Sequence, residues 1–221
     1  MTAHGDASRI QPDAVGGLGA AAGFAYAPET VYTSRVSNVA RRITFTYQDL
    51  VGMPDDGKHR ELIDGDLFVT PSPNTSHQTV SRLLQFELMS ALERPNIAKV
   101  FDAPMDVIFD ETNVVQPDLI IVSQASYHII TERALEGVPD IIVEILSPST
   151  SERDRHYKRR LYEHFQVPEY WIVDPEHGLI EVQALLDSTY GIRARYDRSS
   201  TLVCPLFPTL SVALLPIFTR K

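Results

Sequence analysis

The chain has 221 residues, 43% of them hydrophobic and 22% charged, with a formal net charge of −9 at pH 7. That length and apolar content suit one domain with a sizeable core, while the acidity argues against a protein that coats nucleic acid nonspecifically through a basic face. The single cysteine, Cys204, excludes an intramolecular disulfide and a thiolate metal cluster, so the cytoplasm is the expected compartment.

Residues 1–40 are rich in Gly, Ala, Ser and Thr without a sustained apolar period, and are expected to form a mobile tail ahead of a single domain over 41–221. The segment Ala14 to Phe24 is weakly apolar, but Met1 to Gln11 lacks the cationic start of a signal peptide. No apolar run approaches membrane-spanning length, so no membrane partner is expected. Order begins at Ile43 to Tyr47, where Thr46 is placed to cap a short helix through Leu50 and Val51. Asp64-Gly65 between two short apolar runs is a hairpin signal. Thr75 or Ser76 is expected to cap a helix from His77 to about Leu92, with Val80, Leu83, Leu84, Leu88, Ala91 and Leu92 on one face.

Strands follow at Ala98 to Phe101, Met105 to Phe109 and Val114 to Val122, and a short helix is expected near Thr131 to Leu135 before a strand at Ile141 to Leu146. Ser149, Thr150 or Ser151 would cap a helix running to about Phe165, and Glu169 to Asp174 reads as another strand. The remainder alternates short strands and turns through Phe218. This order predicts an α/β (α+β) fold, a mixed central β-sheet flanked by helices with a β-rich C-terminal extension.

Two β-branched runs each carry a carboxylate, Asp118 in the first and Glu144 in the second. Burying a carboxylate in such a run is costly unless a cation or hydrogen bonds compensate it. Two in neighbouring strands can share a divalent metal able to support phosphodiester hydrolysis. The plainer alternatives are a loop cap for Asp118 and a structural salt bridge for Glu144. Pro117 cannot donate to a strand ladder, so a bend there would let Asp118 leave the apolar plane.

Pro117-Asp118 followed a strand later by Glu144 resembles the PD-(D/E)XK nuclease superfamily, and more closely the bacterial Uma-two family of restriction-endonuclease-like proteins. The matching stretches are Glu61-Leu62-Ile63-Asp64-Gly65, Ser72-Pro73 with His77, Gln116-Pro117-Asp118-Leu119, Val143 to Thr150, Lys158 with Tyr162, and Glu169 to Pro175. The resemblance implies a restriction-endonuclease-like core with Asp118 and Glu144 binding Mg²⁺ or Mn²⁺. It departs from the superfamily pattern at Leu146, where a lysine is expected two residues after Glu144. Lys158 on the following helix is the candidate replacement.

Asp154, Lys158 and Tyr162 recur at every fourth residue of that helix. Tyr157, Leu161 and Phe165 are expected to form its buried stripe, with Lys158 beside it and able to reach the sheet. The alternative for Lys158 is a surface pair with Asp154. The resemblance also places Glu61 close to the site, as a third ligand or an orienter of water; an exposed strand glutamate is the alternative. His77 would face a phosphate or merely pack or cap its helix. Arg159 and Arg160 give the Lys158 helix a basic surface, either solvated or in contact with phosphate.

The reading reached from these residues is a metal-dependent endonuclease acting on nucleic acid, DNA ahead of RNA, with Asp118, Glu144, Lys158 and Glu61 as catalytic residues and His77, Arg159 and Arg160 as substrate contacts. The rival is a catalytically silent nuclease fold used for binding or assembly. A strand edge in the β-rich tail would serve a homodimer.

Overall fold

The computed structural model describes residues 43–70, 72–147 and 154–219. The expected tail and the proposed caps Ser149, Thr150 and Ser151 lie outside the described residues. Helix α1 (Tyr47–Val51) begins at Thr46, whose backbone N–H and hydroxyl both donate to the Asp49 carboxylate, at 2.7 and 2.8 Å. Strands β1 (His59–Ile63) and β2 (Asp66–Thr70) join through Asp64-Gly65, both at positive φ. A Cβ on Gly65 would stand 2.2 Å from Thr44 Cγ2, so glycine is required by packing as well as by conformation.

Helix α2 (Thr75–Leu88) continues into a π-helical stretch at Met89–Glu93. Its cap is Asn74 rather than Thr75 or Ser76: the Asn74 side chain accepts the His77 N–H at 2.9 Å. Strands β3 (Ala98–Asp102) and β4 (Val107–Asp110) follow. The run Val114 to Val122 is two strands, β5 (Asn113–Val115) and β6 (Leu119–Ser123). Gln116-Pro117-Asp118 separates them, because Pro117 has no N–H to donate to a ladder. No α-helix forms at Thr131 to Leu135. A 3₁₀ turn occupies Gln124–Ile129, and the Thr131 hydroxyl accepts the Ala134 N–H and closes a local turn. Leu135–Glu136 then forms the short strand β7.

Strand β8 (Ile141–Ile145) precedes a π-helical turn at Asp154–Lys158 that leads into α3 (Arg159–His164). The chain ends in β9 (Glu169–Asp174), β10 (Leu179–Leu186), β11 (Thr189–Asp197), β12 (Thr201–Cys204), β13 (Phe207–Ala213) and α4 (Leu215–Thr219). The fold is mixed α+β, as expected, but its strands form two main sheets. One has order β2-β1-β5-β4-β7, the other β11-β10-β9-β8-β6-β3, and β12 and β13 form a separate hairpin. The Pro117 break is one of the points at which the chain passes from the first sheet to the second.

Both faces of the six-stranded sheet are covered at β8. Ile141, Val143 and Ile145 pack with Val80, Leu84 and Leu88 of α2 and with Leu202, Phe207 and Ile217. On the other face Ile142 packs with Val107 and Val115 of the smaller sheet and with Leu161 and Tyr162 of α3. β8 is therefore buried along its whole length, which is why its sequence reads as a continuous apolar run. Trp171 and Tyr170 are core residues, as their apolar strand predicts. No helix among the described residues is long and apolar enough to cross a membrane.

Candidate active site

Strand register brings the two carboxylates together. β6 and β8 run antiparallel with Leu119 opposite Val143, so one step further along places Asp118 opposite Glu144. Asp118 is fixed there through its Oδ2, which accepts the Ile145 N–H at 2.7 Å and stands 3.1 Å from His77 Nε2. His77 reaches it from the first turn of α2. Alternation along β8 turns Glu144 away from α2, towards α3 and the smaller sheet.

Lys158 is 2% exposed and Glu144 3%. The Lys158 ammonium donates to Glu144 Oε1 at 2.8 Å, stands 2.7 Å from Glu61 Oε1, and lies 3.9 Å from Asp154 Oδ1. Tyr162 donates its hydroxyl to the same Glu144 Oε1 at 2.7 Å, and the Gln116 N–H donates to Glu61 Oε1 at 3.0 Å. Tyr170 anchors the π-helical turn by donating to the Asp154 carbonyl at 3.0 Å. Among the described residues, four carboxylates thus face one ammonium and one imidazole.

Burial raises the Glu144 carboxyl well above the usual range; Lys158 pulls it down, while Asp154, Asp118 and Glu61 push it further up. Burial alone would lower the Lys158 ammonium, but Glu144, Glu61 and Asp154 outweigh it and raise its pKa, so it stays charged. At His77 burial opposes protonation and the Asp118 contact favours it, with a net upward shift. The Tyr162 hydroxyl is raised by burial and by Glu144, which keeps it a donor.

Glu61, His77, Asp118, Glu144, Asp154 and Lys158 line a cavity of about 400 Å³ whose walls also include His59, Gln78, Ser81, Arg82, Gln85 and Gln116. The predicted residues Glu61, His77, Asp118, Glu144 and Lys158 are all brought together there. Arg159 and Arg160 are not. Arg159 donates to Gln183 Oε1 at 2.7 Å and to the Tyr190 carbonyl at 2.9 Å, and Arg160 is exposed outside the cavity lining. Lys158 belongs to the buried stripe itself, not to the face beside it, and Tyr157 is 56% exposed. The π-helical turn Asp154–Lys158 departs from ideal helical spacing and accompanies this arrangement. Asp154, Gln116 and Arg82 join the site although no site role follows for them from sequence. The recurrence of Asp154, Lys158 and Tyr162 at every fourth residue is the signal for the first of these.

The donor set fits a hard divalent cation in chemistry and charge, because every carboxylate offers oxygen and negative charge is in surplus. Among the described residues no three His, Cys, Asp or Glu side chains already form a metal-holding group. Glu61 and Glu144 turn an oxygen to Lys158, and Asp118 turns one to His77 and Ile145.

A crystal structure of "a putative nuclease belonging to DUF820" from Anabaena variabilis ATCC 29413 shares the fold. It superposes with a TM-score of 0.66 at 18% identity, covering 79% of this chain and 98% of that one. No curated protein matches the chain. Residues 46–216 match the Uma2 family, described as "Putative restriction endonuclease", a span that takes in both main sheets and every residue of the cavity. The chain belongs to the Uma2 family, in keeping with the PD-(D/E)XK superfamily.

Proposed function

We propose that the protein is a metal-dependent endonuclease that hydrolyses phosphodiester bonds in DNA. The observation that carries this reading is the convergence of Asp118, Glu144, Glu61 and Lys158, from four separate segments, at one cavity. The description of the family as a restriction endonuclease supports DNA over RNA.

Asp118 and Glu144 would hold Mg²⁺ or Mn²⁺, with Glu61 adjacent. When bound, such a cation draws negative charge off a phosphate and makes a neighbouring water more acidic. Lys158 places a fixed positive charge at the cavity floor for charge developing on the phosphate, and its burial strengthens that interaction. Tyr162 holds Glu144 in one orientation, the Ile145 N–H does the same for Asp118, and the Gln116 N–H for Glu61. Leu146 occupies the sequence position expected for lysine, and the helix after β8 supplies the cation instead.

The closed Lys158–Glu144–Glu61 contact favours a second reading, a silent binding module whose ion pairs only hold the fold. Cleavage assays separate the two. Single-stranded, double-stranded and structured DNA and RNA are incubated with the protein and Mn²⁺ or Mg²⁺. The expected result is DNA cleavage that chelation stops and Asp118→Asn abolishes. Folded protein that cleaves none of these substrates with either metal sinks the enzymatic reading.

A further inference from the structure

A polyanion approaching this cavity meets a surplus of carboxylates in a chain of net charge −9. Some cation at the cavity wall has to offset that repulsion. The arginines expected from sequence are elsewhere, and the cavity itself supplies the alternative. One face of α2 lines it with Gln78, Ser81, Arg82 and Gln85, at helical spacing i, i+3, i+4 and i+7. These are hydrogen-bonding side chains, whereas Val80, Leu84 and Leu88 on the other face enter the core.

Among the described residues that line the cavity, the basic side chains are His59, His77, Arg82 and Lys158. Lys158 is held by Glu61 and Glu144, and His77 by Asp118. Arg82 is exposed and, among the described residues, makes no ion pair. It lies five residues beyond His77, about 7.5 Å of helix rise, so it stands away from the Asp118–His77 contact along the same wall. A guanidinium offers two parallel donors to a phosphate and keeps its charge at any working pH.

We propose that Arg82 binds a phosphate of the DNA strand flanking the scissile one, and that α2 is the wall along which the strand lies. The proposal rests on the nuclease reading above. It assigns Arg82 to substrate binding, so its loss weakens affinity and raises KM while kcat stays near wild type.

The test is fluorescence anisotropy of a labelled DNA oligonucleotide in chelator, across salt, together with Mg²⁺-supported cleavage kinetics. Arg82→Gln is compared with Arg82→Lys and with Arg94→Gln, which removes an equal charge from an exposed site over the Phe86 ring and outside the cavity. The expected result for Arg82→Gln is an affinity about tenfold lower at low salt and a log–log salt slope reduced by about one. Arg82→Lys should retain the slope, and Arg94→Gln should match wild type. If wild type binds or cleaves DNA but Arg82→Gln keeps its affinity, slope and KM, the assignment of Arg82 is overturned and the nuclease reading stands. Equal losses in Arg82→Gln and Arg94→Gln also overturn it, since bulk charge then explains the effect. A wild type that neither binds nor cleaves DNA overturns both readings.

Discussion

Two groups of acids on the six-stranded sheet, one carried by β9 and β10 and the other gathered at the end of β8, are built differently. At the start of β9, Glu169 accepts from Trp171 Nε1 at 2.8 Å and pairs with Arg193. Arg193 stands at a bulge of β11, the residue skipped between the Val182–Ala194 and Gln183–Ile192 pairings. Glu181 faces Arg195 directly across the strands and accepts from Gln183 at 2.9 Å. Each acid there has its own arginine. At the end of β8, by contrast, Glu61, Asp118, Glu144 and Asp154 share, among the described residues, one lysine and one histidine. Balanced pairs explain themselves as structure. An excess of acids over cations among the described residues is an imbalance that a bound divalent cation would relieve.

The comparison is most exposed at Lys158. Lys158→Met removes the ammonium from between Glu61 and Glu144 and leaves uncompensated buried charge, at a cost of about 3–5 kcal/mol. Full burial of the ammonium is what makes the cost this large. Urea unfolding should show the loss, with Mg²⁺ or mild acid recovering part of it. An unaltered midpoint would mean that the carboxylates do not depend on Lys158.

Glu169→Gln breaks a balanced pair, but Arg193 is partly exposed and can turn to water, so the cost should be nearer to about 2 kcal/mol. Mg²⁺ should not restore it. If divalent ions rescue Glu169→Gln as well as Lys158→Met, the distinction between the two regions fails.

Glu144→Gln should act in the opposite sense. Its folded-state pKa is raised, so the stability linked to this carboxyl is fully present below the unfolded value of about 4.3 and is lost as pH rises through the folded value. The amide removes that slope while still accepting from Lys158 and Tyr162. At pH 7 and without metal the variant should be as stable as wild type or up to about 1 kcal/mol more stable. Denaturation at mildly acidic and neutral pH checks this, and a large loss at neutral pH would show that Glu144 is a structural partner like Glu169.

The smallest effect is at Cys204, beside Glu169, where burial pushes the thiol up to about 12. A disulfide reagent at pH 8 should leave the native protein unlabelled and label it fully in denaturant. Rapid native labelling would show that the balanced region opens readily.

Much of this architecture was legible because local chemistry decided it. Asp64-Gly65 permits little besides a tight turn, Thr46 with Asp49 closes its own cap, and the apolar face of α2 follows helical spacing. Asp118 and Glu144 were legible as acids in apolar runs, and Lys158 through its recurrence with Asp154 and Tyr162. The sheet switch at Pro117 was only half legible: the bend is local, but which sheet each half joins depends on distant pairings with β1 and β8. The burial of Lys158 was hidden because the helix departs from α spacing over Asp154–Lys158. Arg82 carried no signal at all, since its place at the cavity depends on β1, β3, β8 and the Gln116–Asp118 break coming together beside α2.

Isothermal calorimetry of Mn²⁺ into the apo protein tests the central claim most directly, with Asp118→Asn and Glu144→Gln alongside. Binding to wild type that both amides abolish while each variant stays folded is the predicted result. No binding to wild type, or binding that both amides leave unchanged, would contradict the assignment of the surplus carboxylates to a metal.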